Sequence, residues 1–70
     1  MQTTLGRMRR ERGLRALDLA FDLRINPTLI SSVERRKAAA SARVRAMLAK
    51  FFGVSEGELF EPGGLAIEER

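Results

Sequence analysis

The stretch that decides the fold is ALDLAFDLRINPTLISSVE, residues 16–34. Its apolar side chains recur at the spacing of a helix, not with the alternation of a strand. Asn26 is a residue type that caps helix N-termini, and Pro27 is pre-organised for the first helical position. The stretch therefore predicts two short helices, near residues 16–23 and 27–35, that are joined by only three residues.

A connection of three residues makes consecutive helices cross steeply, which is the geometry of a helix-turn-helix. Further helices are predicted on both sides of this pair. Ahead of it, Thr4 is expected to cap a first helix that Gly13 ends. After it, Ser41 is expected to cap a fourth helix that continues to Phe52 and ends at Gly53.

The last predicted helix begins at Ser55, because Ser55 and Glu58 have the spacing of a capping box. The Pro-Gly-Gly stretch at residues 62–64 then interrupts regular structure. We therefore predict an all-α fold, a compact five-helix bundle over residues 1–61, with no strand and with a C-terminal tail over residues 62–70. The tail is expected either to pack on the bundle or to lie at a dimer interface.

The composition excludes several classes of protein. The chain has 70 residues and a net charge of +4, and it contains neither Cys nor His. It therefore lacks the residue types for a disulfide, a Cys/His zinc site or an imidazole base. Its apolar stretches are too short for a membrane span or a signal-peptide core. We expect a cytoplasmic domain that is not an enzyme and that has no metal, cofactor or small-molecule substrate.

Charge is distributed unevenly along the chain. Residues 1–50 carry 12 of the 13 basic side chains and four acidic ones, a net charge of +8. Residues 51–70 carry one basic and five acidic side chains, a net charge of −4. Such asymmetry indicates a basic face for a polyanion, with the acidic end turned away from it. The alternative is an Arg-rich surface that only keeps the domain in solution.

Many short motifs follow one another in a characteristic order and spacing from about Leu5 to Phe60. They are Met8-Arg9, Arg12-Gly13-Leu14, Leu19-Ala20, Leu23, Ile25-Asn26, Ile30-Ser31, Val33-Glu34-Arg35, Leu48-Ala49-Lys50, Phe52-Gly53-Val54-Ser55 and Glu58-Leu59-Phe60. Through the order and spacing of these motifs the sequence resembles the Cro/C1-type (XRE), or lambda-repressor-like, helix-turn-helix domains.

The resemblance implies that the helix over residues 27–35 reads the major groove of double-stranded DNA. Its exposed face would contact bases through Thr28, Leu29, Ser32 and Ser31. Hydroxyl groups bond several base edges, and apolar carbon atoms contact thymine methyl groups. For Thr28 and Ser31, a hydrogen bond to the backbone of the first helical turn is the alternative.

Five basic side chains flank this helix in the sequence. As a cluster we expect them to contact phosphates, which positions the domain and makes its affinity depend on salt. The alternative for any one of them is a solubilising role. They are Arg15, Arg35, Arg36, Lys37 and Arg43.

The resemblance also implies a structural ion pair between Arg9 of the first helix and Glu34 at the end of the reading helix. Three positions depart from the family pattern near the DNA-facing edge. Ala16 replaces a Gln that binds the phosphate backbone in the family, and Arg24 and Arg36 replace glycines. Arg24 is expected to adopt a left-handed conformation at a cost of roughly 1–2 kcal/mol.

The sequence has two apolar pairs at i,i+4 spacing, Leu17/Phe21 and Met47/Phe51, and one core stripe cannot use all four side chains. Some of them are expected to be exposed and to mark a partner surface. The alternative is that the tail folds back through Leu65 and Ile67 and covers one pair. Helix-turn-helix repressors usually bind two half-sites as symmetric dimers. Family dimers often form near the C-terminal helices. The residues expected at a dimer or partner surface are Leu17, Phe21, Met47, Phe51, Phe60, Leu65 and Ile67.

The sequence thus predicts a small, sequence-specific transcription regulator of the repressor or controller type, acting as a homodimer. A prokaryotic chromosome, phage or plasmid is the expected setting. The alternative is a protein-interaction module of the same fold, similar to an antitoxin or anti-repressor, with weak or non-specific DNA binding.

Overall fold

The structure, a computed structural model, describes residues 2–69. All five predicted helices are present, which confirms the all-α bundle. Within the described residues, none of the helices has the length and apolar character needed to cross a membrane. The elements are β1 (Gln2–Thr3), α1 (Thr4–Glu11), α2 (Ala16–Leu23), α3 (Pro27–Glu34), α4 (Ala42–Phe52), α5 (Glu56–Leu59) and β2 (Glu68–Glu69).

The starts of α3 and α4 follow from local side-chain chemistry. The Asn26 side chain accepts a hydrogen bond of 2.8 Å from the Thr28 backbone N–H, and Pro27 occupies the first helical position. The Ser41 hydroxyl accepts a bond of 3.3 Å from the Val44 N–H. These bonds satisfy N–H groups that have no partner inside the helix, so both predicted caps are confirmed.

The other helix starts agree with the sequence except at α1. The Ser55 N–H donates to a Glu58 carboxylate oxygen at 2.7 Å, as a capping box requires. At α1 the predicted cap was wrong by one residue. Thr3, not Thr4, accepts a bond of 3.2 Å from the Gly6 N–H. Thr3 is the better cap because β1 holds it in an extended conformation.

The core forms where the five helices converge. Leu19 and Ala20 of α2 and Ile30 and Val33 of α3 belong to one buried cluster, which fixes the rotation of α3 about its axis. At the end of α2 the Ile25 N–H donates to the Ala20 carbonyl at 2.9 Å. The face of α3 opposite the core is therefore turned outward.

The turn between α2 and α3 places a bulky residue in the left-handed region. Arg24 has a φ of +55° and ends α2, which confirms the conformation expected at this position. The Cβ atom of an L-residue crowds its own backbone there, whereas glycine has no Cβ. Arg36 adopts the same conformation after α3, with a φ of +62°.

Replacing Arg24 by Gly should therefore raise the free energy of unfolding by about 0.5–1 kcal/mol. The matched control is Arg24→Ala, which removes the same side chain but keeps the Cβ atom. Thermal unfolding followed by circular dichroism compares the three proteins. An Arg24→Gly variant that melts no higher than Arg24→Ala would show that the turn is not strained.

The C-terminal residues pack on the bundle, and the prediction that the chain contains no strand was wrong. β2 pairs with β1 in antiparallel register, Gln2 opposite Glu69 and Thr3 opposite Glu68. The Ile67 N–H donates to the Leu59 carbonyl at 2.9 Å. Two-residue strands are too short to show alternation in a sequence, and they form here because the bundle brings the two segments together.

Candidate nucleic-acid interface

The outer face of α3 presents the four predicted base-reading residues with different exposure. Thr28 and Leu29 are exposed, whereas Ser31 and Ser32 are half-buried. Thr28 and Ser32 are one helical turn apart and therefore share a face. Leu29 is 36% exposed and lies beside them. The face thus offers two hydroxyl groups and an apolar side chain, none of them charged.

Arg9 and Glu34 are brought together as a bidentate ion pair. Arg9 Nε donates to Glu34 Oε2 at 2.5 Å, and Arg9 Nη2 donates to Glu34 Oε1 at 3.1 Å. The Arg9 guanidinium also donates to the Leu14 carbonyl at 2.6 Å. The two side chains are only 13% and 11% exposed. This pair therefore connects α1, the loop before α2 and the end of α3.

Three of the five predicted phosphate-binding residues are basic side chains whose charge no acidic partner offsets in the described part of the chain. Arg35, Lys37 and Arg43 are all exposed. In the part of the chain that the structure describes, no acidic side chain pairs with them. Arg35 and Lys37 follow α3 directly, and Arg43 lies in the first turn of α4.

Arg15 is exposed but shares its charge with Asp18. The two side chains approach to 3.0 Å at the start of α2. The hydrogen bond from the Arg15 side chain, together with the bond from its backbone N–H, lowers the pKa of Asp18 below its ordinary value. Asp18 is therefore ionised at neutral pH and offsets part of the positive charge of Arg15.

Arg36 departs from the expected phosphate cluster. Its guanidinium lies 3.0 Å from a Glu61 carboxylate oxygen and 3.1 Å from a Glu68 carboxylate oxygen. The side chain is 26% exposed, and both partners belong to the C-terminal segment. The backbone reverses at Arg36 and β2 returns beside α1, so this side chain pairs with the tail. In this structure Arg36 is therefore paired with the C-terminal residues, and its contact with a DNA phosphate stays a prediction.

A polar hollow lies between α1, the start of α2 and the end of α3. Arg10, Arg35, Ser31 and Ala16 line it. Arg10 donates to the neutral Gln2 side chain at 2.9 Å, so its charge is not offset by that contact. Sequence reasoning missed Arg10. The available signal was that Arg10 is the neighbour of Arg9 on α1. Consecutive helical residues point in different directions, so the predicted pairing of Arg9 with Glu34 leaves Arg10 pointing elsewhere.

The residues predicted for a partner surface fall into two groups. Leu17 and Phe21 project from α2 and are 50% and 82% exposed. They border an apolar hollow that Ile25 and Pro27 also line. Phe60, by contrast, is only 3% exposed because it packs into the core, so the expectation that it contacts a partner was wrong.

The remaining predicted partner residues are half-buried: Met47, Phe51, Leu65 and Ile67. The Arg12 guanidinium lies over the Phe51 ring, 5.5 Å from its centroid, and donates to the Phe51 carbonyl at 3.1 Å. It also donates to the Phe52 carbonyl at 3.1 Å. Arg12 thus covers the end of α4 and leaves less apolar surface there than the sequence indicated.

The structure thus has a helix pair with a three-residue turn, an outward polar face on the second helix and flanking basic side chains. Together these features define a helix-turn-helix DNA-binding domain. A family model described as helix-turn-helix matches residues 5–59. The chain belongs to the Cro/C1-type (XRE) helix-turn-helix family. This family consists of DNA-binding domains of transcription regulators and is not typically enzymatic. No curated protein and no solved structure matches the chain significantly.

Proposed function

We propose that this protein is a sequence-specific DNA-binding transcription regulator of the repressor or controller type, which reads the major groove with α3 as a homodimer. The observation that carries the proposal is the outer face of α3, followed in the chain by the exposed side chains of Arg35, Lys37 and Arg43, none of which has an acidic partner within residues 2–69. A polar helix face flanked by basic residues is suited to the major groove, where base edges lie between two phosphate backbones.

Base recognition in this proposal depends on short side chains. Thr28 and Ser32 each offer a hydroxyl group that donates or accepts, and Leu29 offers methyl groups to thymine. None of them makes the bidentate contacts by which Arg or Gln selects one base. We therefore propose that part of the specificity comes from the shape and deformability of the DNA.

Phosphate contacts supply most of the affinity. Arg35, Lys37 and Arg43 are the proposed contacts, and Arg10 joins them through the polar hollow that it shares with Arg35. Arg15 contributes less because Asp18 offsets its charge. The hollow next to Ala16 has room for a phosphate group where family members carry the longer Gln.

The phosphate contacts are tested by Lys37→Gln and Arg43→Gln. Each variant should flatten the dependence of log affinity on log salt by about 0.9, because each removes one phosphate contact. Fluorescence anisotropy with a labelled duplex between about 50 and 200 mM salt measures the slope. Lys50→Gln, an exposed lysine on α4 that does not flank α3, is the matched control. Equal slopes for all four proteins would refute the proposed contacts.

Selection of bound sites from a random DNA pool tests sequence specificity and the dimer together. A palindrome whose half-sites are roughly 34 Å apart is the expected product. A single unrepeated site would support a monomer that reads DNA. Recovery of unselected sequences would contradict sequence-specific recognition.

A second candidate function is a protein-interaction module of the same fold. The observation that favours it is Phe21, whose 82% exposure beside Leu17 is unusual for a large apolar side chain. The same surface is the best-supported contact for a homodimer, since Phe60 is buried. Phe21→Ser separates the two candidates. Loss of a partner with unchanged DNA binding would favour the interaction module, whereas joint loss of dimer and DNA affinity would favour the dimeric regulator.

A further inference from the structure

The acidic C-terminal segment, defined here as residues 61–69, reaches the end of the proposed reading helix. Glu61 and Glu68 both pair with Arg36, the second residue after α3. Two carboxylates face one guanidinium, so the local charge of this group is −1. The group lies next to Lys37, one of the proposed phosphate contacts.

Several contacts hold this segment against the bundle. Glu69 accepts hydrogen bonds of 2.8 Å from Arg7 Nε and 3.0 Å from the Gln2 amide. The bond from Arg7 is the main reason that the pKa of Glu69 lies below its ordinary value. The Ala40 N–H donates to the Gly64 carbonyl at 2.9 Å and ties the segment to the loop between α3 and α4. These contacts therefore hold the segment beside the loop between α3 and α4.

We propose that the acidic C-terminal segment regulates the DNA affinity of the α3 face by withholding Arg36 from phosphates. The inference rests on the proposed DNA-binding function. Glu61 and Glu68 are 46% and 45% exposed, so their ion pairs with Arg36 are accessible to a competing anion. A DNA phosphate has to displace them to gain Arg36. Displacement of the segment therefore adds one phosphate contact, made by Arg36.

The test is a double-mutant cycle between the two glutamates and Arg36. Glu61→Gln/Glu68→Gln should bind a labelled duplex about five- to tenfold more tightly at 0.1 M salt, with a salt slope steeper by about 0.9, because one phosphate contact is gained. On an Arg36→Gln background the same two substitutions should change affinity by less than about twofold. Glu56→Gln is the matched control, since Glu56 is another half-exposed glutamate that pairs with an arginine, Arg45.

Thermal unfolding of each variant ensures that binding is compared between folded proteins. A gain that persists on the Arg36→Gln background would overturn the inference, because it would come from the loss of negative charge alone. An unchanged affinity and slope in Glu61→Gln/Glu68→Gln would overturn it as well. If the wild type binds DNA and the Glu61→Gln/Glu68→Gln variant has the same affinity and the same salt slope, the proposed function stands and only the regulatory role is refuted. Binding by the double variant alone would support regulation, and binding by neither protein would refute both proposals.

Discussion

Glu34→Gln is expected to lower the free energy of unfolding by about 3 kcal/mol and the melting temperature by roughly 10–20 °C. The substitution keeps the shape of the side chain but removes its charge. Arg9 is left with a positive charge at 13% exposure and without a carboxylate partner. Loss of one member of a buried pair costs about 3–5 kcal/mol when the other remains charged, and a Gln oxygen recovers part of one hydrogen bond.

Thermal unfolding by circular dichroism measures this effect, with Glu56→Gln as the matched control. The carboxylate of Glu56 is half-exposed and lies 3.5 Å from Arg45, so its removal should cost less than about 1 kcal/mol. DNA affinity of Glu34→Gln should stay within about twofold of the wild type at temperatures where both are folded, a change below 0.5 kcal/mol. An unchanged melting temperature would contradict the structural role of the Arg9–Glu34 pair.

Gly64→Ala should destabilise the protein by about 2–4 kcal/mol. Gly64 has a φ of +96°, a conformation that side chains disfavour. A Cβ atom at this position would also lie only 2.6 Å from the Ala40 carbonyl oxygen. Since that atom belongs to the backbone, the loop and the C-terminal segment have to move apart. The bond between the Ala40 N–H and the Gly64 carbonyl is then strained or lost.

The neighbouring glycine provides the control for this prediction. A Cβ atom at Gly63 meets nothing within 4 Å, so Gly63→Ala should be neutral or stabilising by about 0.4–1 kcal/mol. Urea unfolding gives the free energies of both variants. If Gly64→Ala and Gly63→Ala are equally stable, the close contact between the loop and the C-terminal segment does not constrain the domain.

The helices could be predicted because their determinants are local. Asn26 and Pro27 define the start of α3 through contacts with residues close by in the sequence, and Ser41 does the same for α4. The left-handed conformation at Arg24 follows from the short connection between two helices. Such features depend on backbone geometry and on side chains a few residues away, and both can be read directly from the sequence.

The candidate site was predicted less completely, because its details depend on contacts between distant segments. Arg36 was predicted as a phosphate contact, and its ion pairs were not foreseen because Glu61 and Glu68 lie 25 and 32 residues further along the chain. Phe60 was expected at the surface, yet a bridge to Ala66 places it under the returning chain. No local pattern indicates which glutamate an arginine meets or what covers an aromatic ring.

The pairing of Gln2 with Glu69 closes almost the whole chain into a ring. Bringing together residues 67 positions apart costs far more chain entropy than closing the short turn between α2 and α3. We therefore expect the α2–α3 pair to form before the β1–β2 pairing closes the ring. We also expect this seam to open before the core in the native state, so that its amides exchange with solvent earlier. Because Glu68 belongs to β2, opening of this seam releases one of the two carboxylates that pair with Arg36, while the helices themselves stay folded.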